Sequence, residues 1–136
     1  MEHDADVSVV IPVLNAAGWL PALLPAIFNQ KPAPPREVIL VDSRSTDATR
    51  EIAAQFDRVR VIPIDRFSHG RARNLGAREA RGAMVVLMTQ DALPRDDGWL
   101  AALRAPFADP KVGATFSRQA PRDDAPAAQK DRAFLK

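Results

Sequence analysis

Residues 7–30 read VSVVIPVLNAAGWLPALLPAIFNQ, and this stretch decides the fold. Its first part, residues 7–13, is rich in β-branched side chains and predicts a short strand. Its second part, residues 18–30, predicts a helix, because large apolar side chains recur there at helical spacing. These side chains are Leu20, Leu23, Leu24, Ile27 and Phe28. The stretch is therefore typical of a strand that leads directly into a helix.

The same alternation repeats along the rest of the chain. Further strands are predicted over residues 37–41, 59–64, 84–88 and 111–116. Further helices are predicted over residues 45–56, 70–81 and 98–107. Strands that are apolar throughout and alternate with helices indicate an open, mainly parallel sheet with helices on both faces. The predicted fold class is therefore α/β, with three layers in the order α/β/α.

Length and composition favour a single domain. The chain has 136 residues, 46% of them hydrophobic, which is enough for one sizeable core but hard to divide into two. We predict that residues 1–117 form this domain. Residues 118–136 are rich in proline, alanine and charged residues, and we predict that they form a separate tail.

Composition also excludes several classes of protein. The chain has no cysteine, which rules out a disulfide framework and cysteine-ligated metal sites. Lysine and arginine number 19 against 17 acidic residues, without a basic block, so nucleic-acid binding is not expected. Prolines and polar residues interrupt the apolar residues 7–28, and residues 1–6 are acidic where a secretory leader is positive. We expect a cytoplasmic protein.

Short polar side chains follow three of the predicted strands. Asn15 follows the first strand, Asp42–Ser45 follow the second, and Thr89–Asp91 follow the fourth. Open parallel sheets bind their ligands at the carboxyl ends of the strands. Three such strand ends favour a ligand site over a purely structural role.

The common nucleotide-binding motifs do not fit this sequence. No glycine-rich dinucleotide fingerprint follows the first strand, and the segment Gly70–Gly76 lacks the spacing and the Lys-Ser/Thr ending of a phosphate loop. A phosphoacceptor domain could use Asp42, but it would need an acidic pair after the first strand, where residues 12–15 read PVLN.

Four ordered segments nevertheless resemble the family 2 glycosyltransferases of GT-A fold. They are Val7–Asn15, Val41–Asp47, Gly70–Gly76 and Leu87–Pro94. The resemblance covers residues 7–118, and the segments TQDA at 89–92 and FSRQ at 116–119 are especially similar to bacterial rhamnosyltransferases. The resemblance implies the Rossmann-like nucleotide-binding half of a GT-A enzyme.

The resemblance also implies an activity and a set of binding residues. Such an enzyme transfers a sugar, with inversion, from a UDP-, dTDP- or GDP-sugar to a hydroxyl of a sugar or lipid-linked acceptor. The implied nucleotide-binding residues are Pro12, Asn15, Asp42, Ser45, Arg73, Asn74 and Gln90. Arg44 departs from the family, which usually has glycine at that position. For Ser45–Asp47, capping of the following helix is an alternative role.

Asp91 is the predicted metal ligand. Residues 89–91 stand where the family carries an Asp-x-Asp metal motif, and only the last carboxylate is present here. Mg²⁺ or Mn²⁺ can be held by one carboxylate while the diphosphate and water fill the other positions. The alternative is that Asp91 only shapes the loop before Pro94.

The catalytic base is not assigned to any residue. The resemblance places it in an acceptor-binding region beyond the matched residues, so that residues 118–136 would be the start of a missing region, and nothing physical promotes Asp123 or Asp124. We expect a donor-binding fragment that self-associates through the surface this region would cover, and that acts at the inner face of the membrane. A non-catalytic nucleotide-binding module of the same fold and a phosphoacceptor or interaction domain remain as alternatives.

Overall fold

The computed structural model describes residues 5–66 and 68–118. Within them, four parallel strands form one sheet. The strands are β1 (Ala5–Val13), β2 (Pro35–Asp42), β3 (Val59–Pro63) and β4 (Met84–Leu87), and their order across the sheet is β3-β2-β1-β4. The predicted parallel sheet is therefore confirmed, and β1 and β2 are its inner strands.

Three helices connect the four strands, and a fourth follows β4. They are α1 (Leu20–Phe28), α2 (Thr49–Ala53), α3 (His69–Glu79) and α4 (Trp99–Arg104), and a 3₁₀ turn, Ala105–Ala108, follows α4. The chain runs from β1 through β2 to β3 in one direction, and α3 then crosses back to β4. Since such crossovers are right-handed, α1 and α2 lie on one face and α3 on the other. This arrangement confirms the predicted α/β/α layers.

The core lies on both faces of the inner strands. Residues 7–13 of β1 are all buried, and so are four of the five α1 side chains that the helical spacing predicted; the fifth, Phe28, is half-buried. On the other face, α3 packs its Ala72 against Val10, Ile39 and Val41. Gly76 of α3 lies so close to β1 that an added Cβ would sit 2.2 Å from Val10 Cγ1.

A buried polar cluster joins the end of α3 to the amino ends of β1 and β2. Glu37 Oε2 accepts hydrogen bonds from Ser8 Oγ at 2.6 Å and from Arg81 N at 2.7 Å. Glu37 Oε1 accepts one from Arg60 Nε at 3.0 Å, and Gly82 N donates to Ser8 Oγ at 2.8 Å. Burial acts to raise the pKa of Glu37, but these hydrogen bonds and the charge of Arg60 outweigh it, so the pKa lies below its ordinary value.

The predicted strand at residues 111–116 is wrong. Residues 112–118 form no strand, and Phe116 is 94% exposed. Local hydrogen bonds shape the segment instead, with Val112 N donating to Asp109 O at 3.0 Å and Thr115 Oγ1 to Leu103 O at 2.8 Å. A short apolar run forms a strand only where a neighbouring strand accepts its ladder of hydrogen bonds.

The chain divides into two compact units after residue 101, and the sheet lies in the first of them. The predicted domain boundary after residue 117 stays a prediction. Residues 119–136, which include Asp123 and Asp124, lie outside the described residues. Among the described residues, no helix is long and apolar enough to cross a membrane.

Candidate functional site

The loops that follow β1, β2 and β4 come together at the carboxyl edge of the sheet. The strand order reverses at β1, because the chain first builds the sheet outward through β2 and β3 and then adds β4 on the other side. In open α/β sheets, such a reversal point is where ligands bind. The loop after β1 lies at this point.

Asn15 ties the loop after β1 to the loop after β2. Its backbone N–H donates to Ser45 Oγ at 2.9 Å, and its side-chain Oδ1 accepts from Thr46 N at 2.8 Å and Asp47 N at 3.3 Å. The backbone of Asn15 is left-handed, with φ of 49°, a conformation that asparagine tolerates better than most residues. Asn15 therefore shapes both loops.

A second set of hydrogen bonds extends this connection to α2. Ala16 N donates to Thr49 Oγ1 at 2.8 Å, and Ala17 N donates to Asp47 Oδ2 at 3.1 Å. Asp47 Oδ1 accepts from both the hydroxyl and the backbone N–H of Thr49. The Thr49 hydroxyl is the main reason that the pKa of Asp47 lies below its ordinary value, and the backbone N–H groups add to the effect. Asp47 thus holds Thr49, the first residue of α2, from the preceding loop. The N-cap of α2 is Ala48 and has no side-chain cap hydrogen bond, so the capping alternative for Ser45–Asp47 is not confirmed.

Gln90 holds the loop after β1 from its other side. Its Oε1 accepts from Leu14 N at 2.8 Å, and its Nε2 donates to Leu14 O at 3.2 Å. The side-chain amide therefore pairs with the backbone as a neighbouring strand would. This pairing joins the ends of β1 and β4.

Asp42 is a buried carboxylate at the end of β2, with 2% of its surface exposed. Its Oδ1 accepts from Ser45 N at 3.1 Å and from the Ser45 hydroxyl, and its Oδ2 lies 3.7 Å from Arg50 Nε. Arg50 also donates to Ser45 O at 3.2 Å. These contacts show that Asp42 organises the loop after β2, and a direct contact with a nucleoside stays a prediction.

The remaining predicted binding residues lie in β1, in α3 and in the turn after β4. Pro12 is buried in β1, where it pairs with Val41. Arg73 and Asn74 are exposed on α3, whose first turn is capped by Ser68. Asp91 is exposed in the turn after β4.

The structure thus joins Asn15, Asp42, Ser45 and Gln90 through backbone and side-chain hydrogen bonds. The assigned binding roles stay predictions. No group of three or more His, Cys, Asp and Glu side chains that could hold a metal occurs within residues 5–66 and 68–118.

Sequence reasoning missed three features of the same edge. Thr49 and Asp47 act as a pair, Arg44 forms an ion pair with Asp65 at 2.6 Å, and the Ser43 hydroxyl is buried. The signal for one of them was present, since Arg44 stands where the resemblance leads one to expect glycine.

A parallel sheet with polar loops joined at its carboxyl edge defines a ligand-binding α/β domain. The sequence matches the family model described as Glycosyl transferase family 2 over residues 8–134. The chain belongs to this family. Because the chain belongs to this family, a phosphoacceptor domain that uses Asp42 is not needed to explain that residue.

Curated relatives include bacterial and archaeal proteins of this type. The chain is 34% identical over 122 residues to the O-antigen chain rhamnosyltransferase RfbN of Salmonella typhimurium, which covers 88% of this chain and 38% of the relative. It is 36% identical over 100 residues to the glycosyltransferase AglE of Haloferax volcanii, covering 69% of this chain and 33% of the relative. The chain thus spans less than two fifths of the length of either relative.

Solved structures support the same fold. The mannosyltransferase PcManGT from Pyrobaculum calidifontis, in complex with GDP-Man and Mn²⁺, matches with a TM-score of 0.70 and 32% identity over 82% of this chain and 34% of its own. TarS residues 1–349 of S. aureus, in complex with UDP, match with a TM-score of 0.66 and 23% identity over 84% of this chain and 38% of their own. The second likeness concerns the fold alone.

Proposed function

We propose that this chain is the donor-binding part of a glycosyltransferase. The whole enzyme would transfer a sugar from a nucleotide diphosphate to an acceptor hydroxyl, with inversion. The main support is that the loops after β1, β2 and β4 are hydrogen-bonded to one another where the strand order reverses. Asn15, Asp42, Ser45 and Gln90 make these hydrogen bonds, in a chain that belongs to this family. The rhamnosyltransferase and mannosyltransferase relatives support a nucleotide-sugar donor.

The nucleoside would lie against the loops after β1 and β2, next to Pro12, Asn15 and Asp42. The diphosphate would lie towards the start of α3, where backbone N–H groups and the helix dipole favour an anion. Arg73 and Asn74 are exposed in the second turn of α3 and would donate hydrogen bonds to phosphate oxygens.

A divalent cation, Mg²⁺ or Mn²⁺, would accompany the diphosphate, with Asp91 as the protein ligand. An exposed carboxylate at the carboxyl edge is a hard oxygen donor of the kind that both ions prefer. A single carboxylate fits such an ion when phosphate oxygens and water complete the shell. When bound, the cation would neutralise charge on the leaving diphosphate.

The acceptor, its binding region and the catalytic base belong to the proposal for the whole enzyme. The acceptor would be a sugar or lipid-linked hydroxyl, and the enzyme would work in the cytoplasm at the inner face of the membrane.

We also propose that the chain alone self-associates, because Val85 and Leu87 of the edge strand β4 are 37% and 51% exposed. Sedimentation velocity across a wide concentration range tests this association, and a constant monomer contradicts it.

Thermal unfolding of the 136-residue chain with UDP, dTDP and GDP tests donor binding. We expect at least one nucleotide to raise the Tm, and Mn²⁺ or Mg²⁺ to increase that rise. Asp91→Asn should remove the effect of the metal and keep weak metal-free binding. Asp57→Asn, an exposed carboxylate just before β3, serves as the matched control. A Tm that no nucleotide changes would reject the proposal.

A further inference from the structure

Gln30 is a buried polar side chain just after α1. It is 2% exposed and stands three residues after Ile27, where the apolar spacing of α1 would continue. An amide is costly to bury unless its polar atoms are hydrogen-bonded. The partners of Gln30 therefore show what a polar residue does at this place in the fold.

The amide of Gln30 joins the end of α1 to the start of α4. Its Nε2 donates to Ala26 O at 3.1 Å and to Asp96 O at 2.7 Å. Its Oε1 accepts from Leu100 N at 2.9 Å. The N–H groups in the first turn of a helix have no acceptor within that helix, so Gln30 provides one for α4.

These contacts fix the carboxyl-terminal end of the segment that connects β4 to α4, residues 88–98, which we call the β4–α4 loop. Lys31 N adds a hydrogen bond to Asp97 O at 2.7 Å. Within the loop, Gly98 N donates to Asp96 Oδ1 at 3.0 Å. This end of the loop is therefore held both by the end of α1 and by its own turn.

Asp91 lies in the same loop, between this end and the contact made by Gln90. Gln90 pairs with the backbone of Leu14, and Ala92 N donates to Thr89 O at 3.2 Å, which closes a turn around Asp91. A loop held at only one end would lose conformational entropy when it is ordered on binding. With both ends fixed, the exposed carboxylate of Asp91 is placed in advance.

We propose that Gln30 is a positioning residue for Asp91, the proposed metal ligand. This inference rests on the proposed function, in which Asp91 binds the divalent cation that accompanies the donor diphosphate. There a single carboxylate holds the cation for the protein, so the affinity for the cation depends on where that carboxylate stands. Gln30 acts through the β4–α4 loop, whose far end it fixes.

Isothermal titration of the 136-residue chain tests this role. UDP, dTDP and GDP are each titrated with Mn²⁺ and with EDTA, and the ratio of the two dissociation constants gives the gain in affinity from the metal. Gln30→Met keeps the length of the side chain and removes the amide, so it should lower this gain about five-fold, the scale of one lost hydrogen bond. Metal-free affinity should change by less than about two-fold, because the loops after β1 and β2 keep their contacts.

Asp96 gives access to the same end of the loop from an exposed position. Asp96→Ala removes the acceptor of Gly98 N and leaves the buried contacts of Gln30 in place, so the chain should fold. The gain from Mn²⁺ should fall about two-fold or more. Asp96→Asn is the matched control, since its amide oxygen still accepts from Gly98 N while the charge is lost, and it should behave like the unmodified chain.

Glu37→Gln separates positioning from a general loss of stability. It removes a hydrogen-bonded carboxylate at the amino ends of β1 and β2, and it should destabilise the fold without touching the β4–α4 loop. The gain in affinity from Mn²⁺ should therefore stay as in the unmodified chain.

The possible failures are distinguishable. An unchanged gain from Mn²⁺ in Gln30→Met, or equal losses of that gain in Gln30→Met and Glu37→Gln, rejects this inference and leaves donor binding standing. If Gln30→Met does not fold, equal gains in Asp96→Ala and Asp96→Asn reject the inference, and a smaller gain in Asp96→Ala supports it. An unmodified chain that binds nucleotide without any gain from Mn²⁺ rejects the metal site together with this inference. Binding of no nucleotide rejects the proposed function itself.

Discussion

Gln90 pairs with the backbone of Leu14 through both ends of its amide, at 2.8 and 3.2 Å. The two residues follow β4 and β1, the strands between which the order of the sheet reverses. On the opposite side, Asn15 connects the same loop to the loop after β2. The loop after β1 is therefore fixed from both sides before any ligand arrives, and such preorganisation lowers the cost of binding.

Gln90→Glu should weaken this preorganisation. The carboxylate keeps the size of the side chain but cannot donate to Leu14 O, so we expect a loss of about 1 kcal/mol in the free energy of unfolding. Nucleotide affinity should fall as well. Urea denaturation and titration with UDP measure the two effects. Gln55→Glu, at an exposed position after α2, is the control, and equal losses in both variants contradict the prediction.

Asp42 and Ser45 should be energetically coupled. Asp42→Ala leaves the N–H and hydroxyl of Ser45 without their acceptor, which should cost about 1–3 kcal/mol of stability. Ser45→Ala should cost about 1 kcal/mol. Because both changes remove the same contacts, the double variant should lose clearly less than the sum. A double-mutant cycle by urea denaturation measures the coupling, and strictly additive losses contradict it.

Much of this architecture is predictable from local sequence. The β-branched run at residues 7–13 predicts β1, and the helical spacing of Leu20, Leu23, Leu24 and Ile27 predicts α1; the structure buries both sets of side chains. The polar residues that follow three of the strands lie at one edge of the sheet, because parallel strands end at the same edge. Periodicity and the composition of strand ends are local signals, and they predict the strands, the helices and the polar edge of the sheet.

Pairwise contacts between distant residues are not predictable in the same way. The strand predicted at residues 111–116 fails because its stability depends on a partner strand that local composition cannot reveal. Glu37 appears in the sequence as an ordinary strand residue, yet its carboxylate accepts hydrogen bonds from Ser8 and Arg81, which are 29 and 44 positions away. Only the three-dimensional register brings these groups together.

Gly76→Ala should destabilise the fold, because the added methyl group would meet Val10 Cγ1 at 2.2 Å. Forcing α3 away from β1 should cost about 1–3 kcal/mol. Gly70 offers a matched control in the first turn of the same helix, since an added Cβ meets nothing within 4 Å there. Gly70→Ala should be neutral or stabilising by up to about 1 kcal/mol. Thermal and urea unfolding of both variants measure this contrast, and equal changes in stability for Gly76→Ala and Gly70→Ala would falsify it.

Glu37 should make the stability of the fold depend on pH in the acid range. Its pKa is lowered from 4.5 in the folded protein, so the folded state favours the ionised carboxylate. The resulting stabilisation is fully present above the pKa of the unfolded chain. It is lost as the pH falls from about 4.5 through the lower folded-state pKa, because protonation then favours unfolding.

Glu37→Gln should therefore have its largest effect near neutral pH. We expect a loss of about 1–3 kcal/mol at pH 7, because Arg60 and the N–H of Arg81 lose a charged acceptor. Below about pH 4.5 the unmodified chain loses the same interaction, so the difference between the two proteins should shrink as acid is added. Urea denaturation at intervals from pH 7 to about pH 3 measures this convergence. Glu51→Gln on the exposed side of α2 is the control and should run parallel to the unmodified chain. A stability difference for Glu37→Gln that stays constant across this range would show that the carboxylate is not ionised within the cluster.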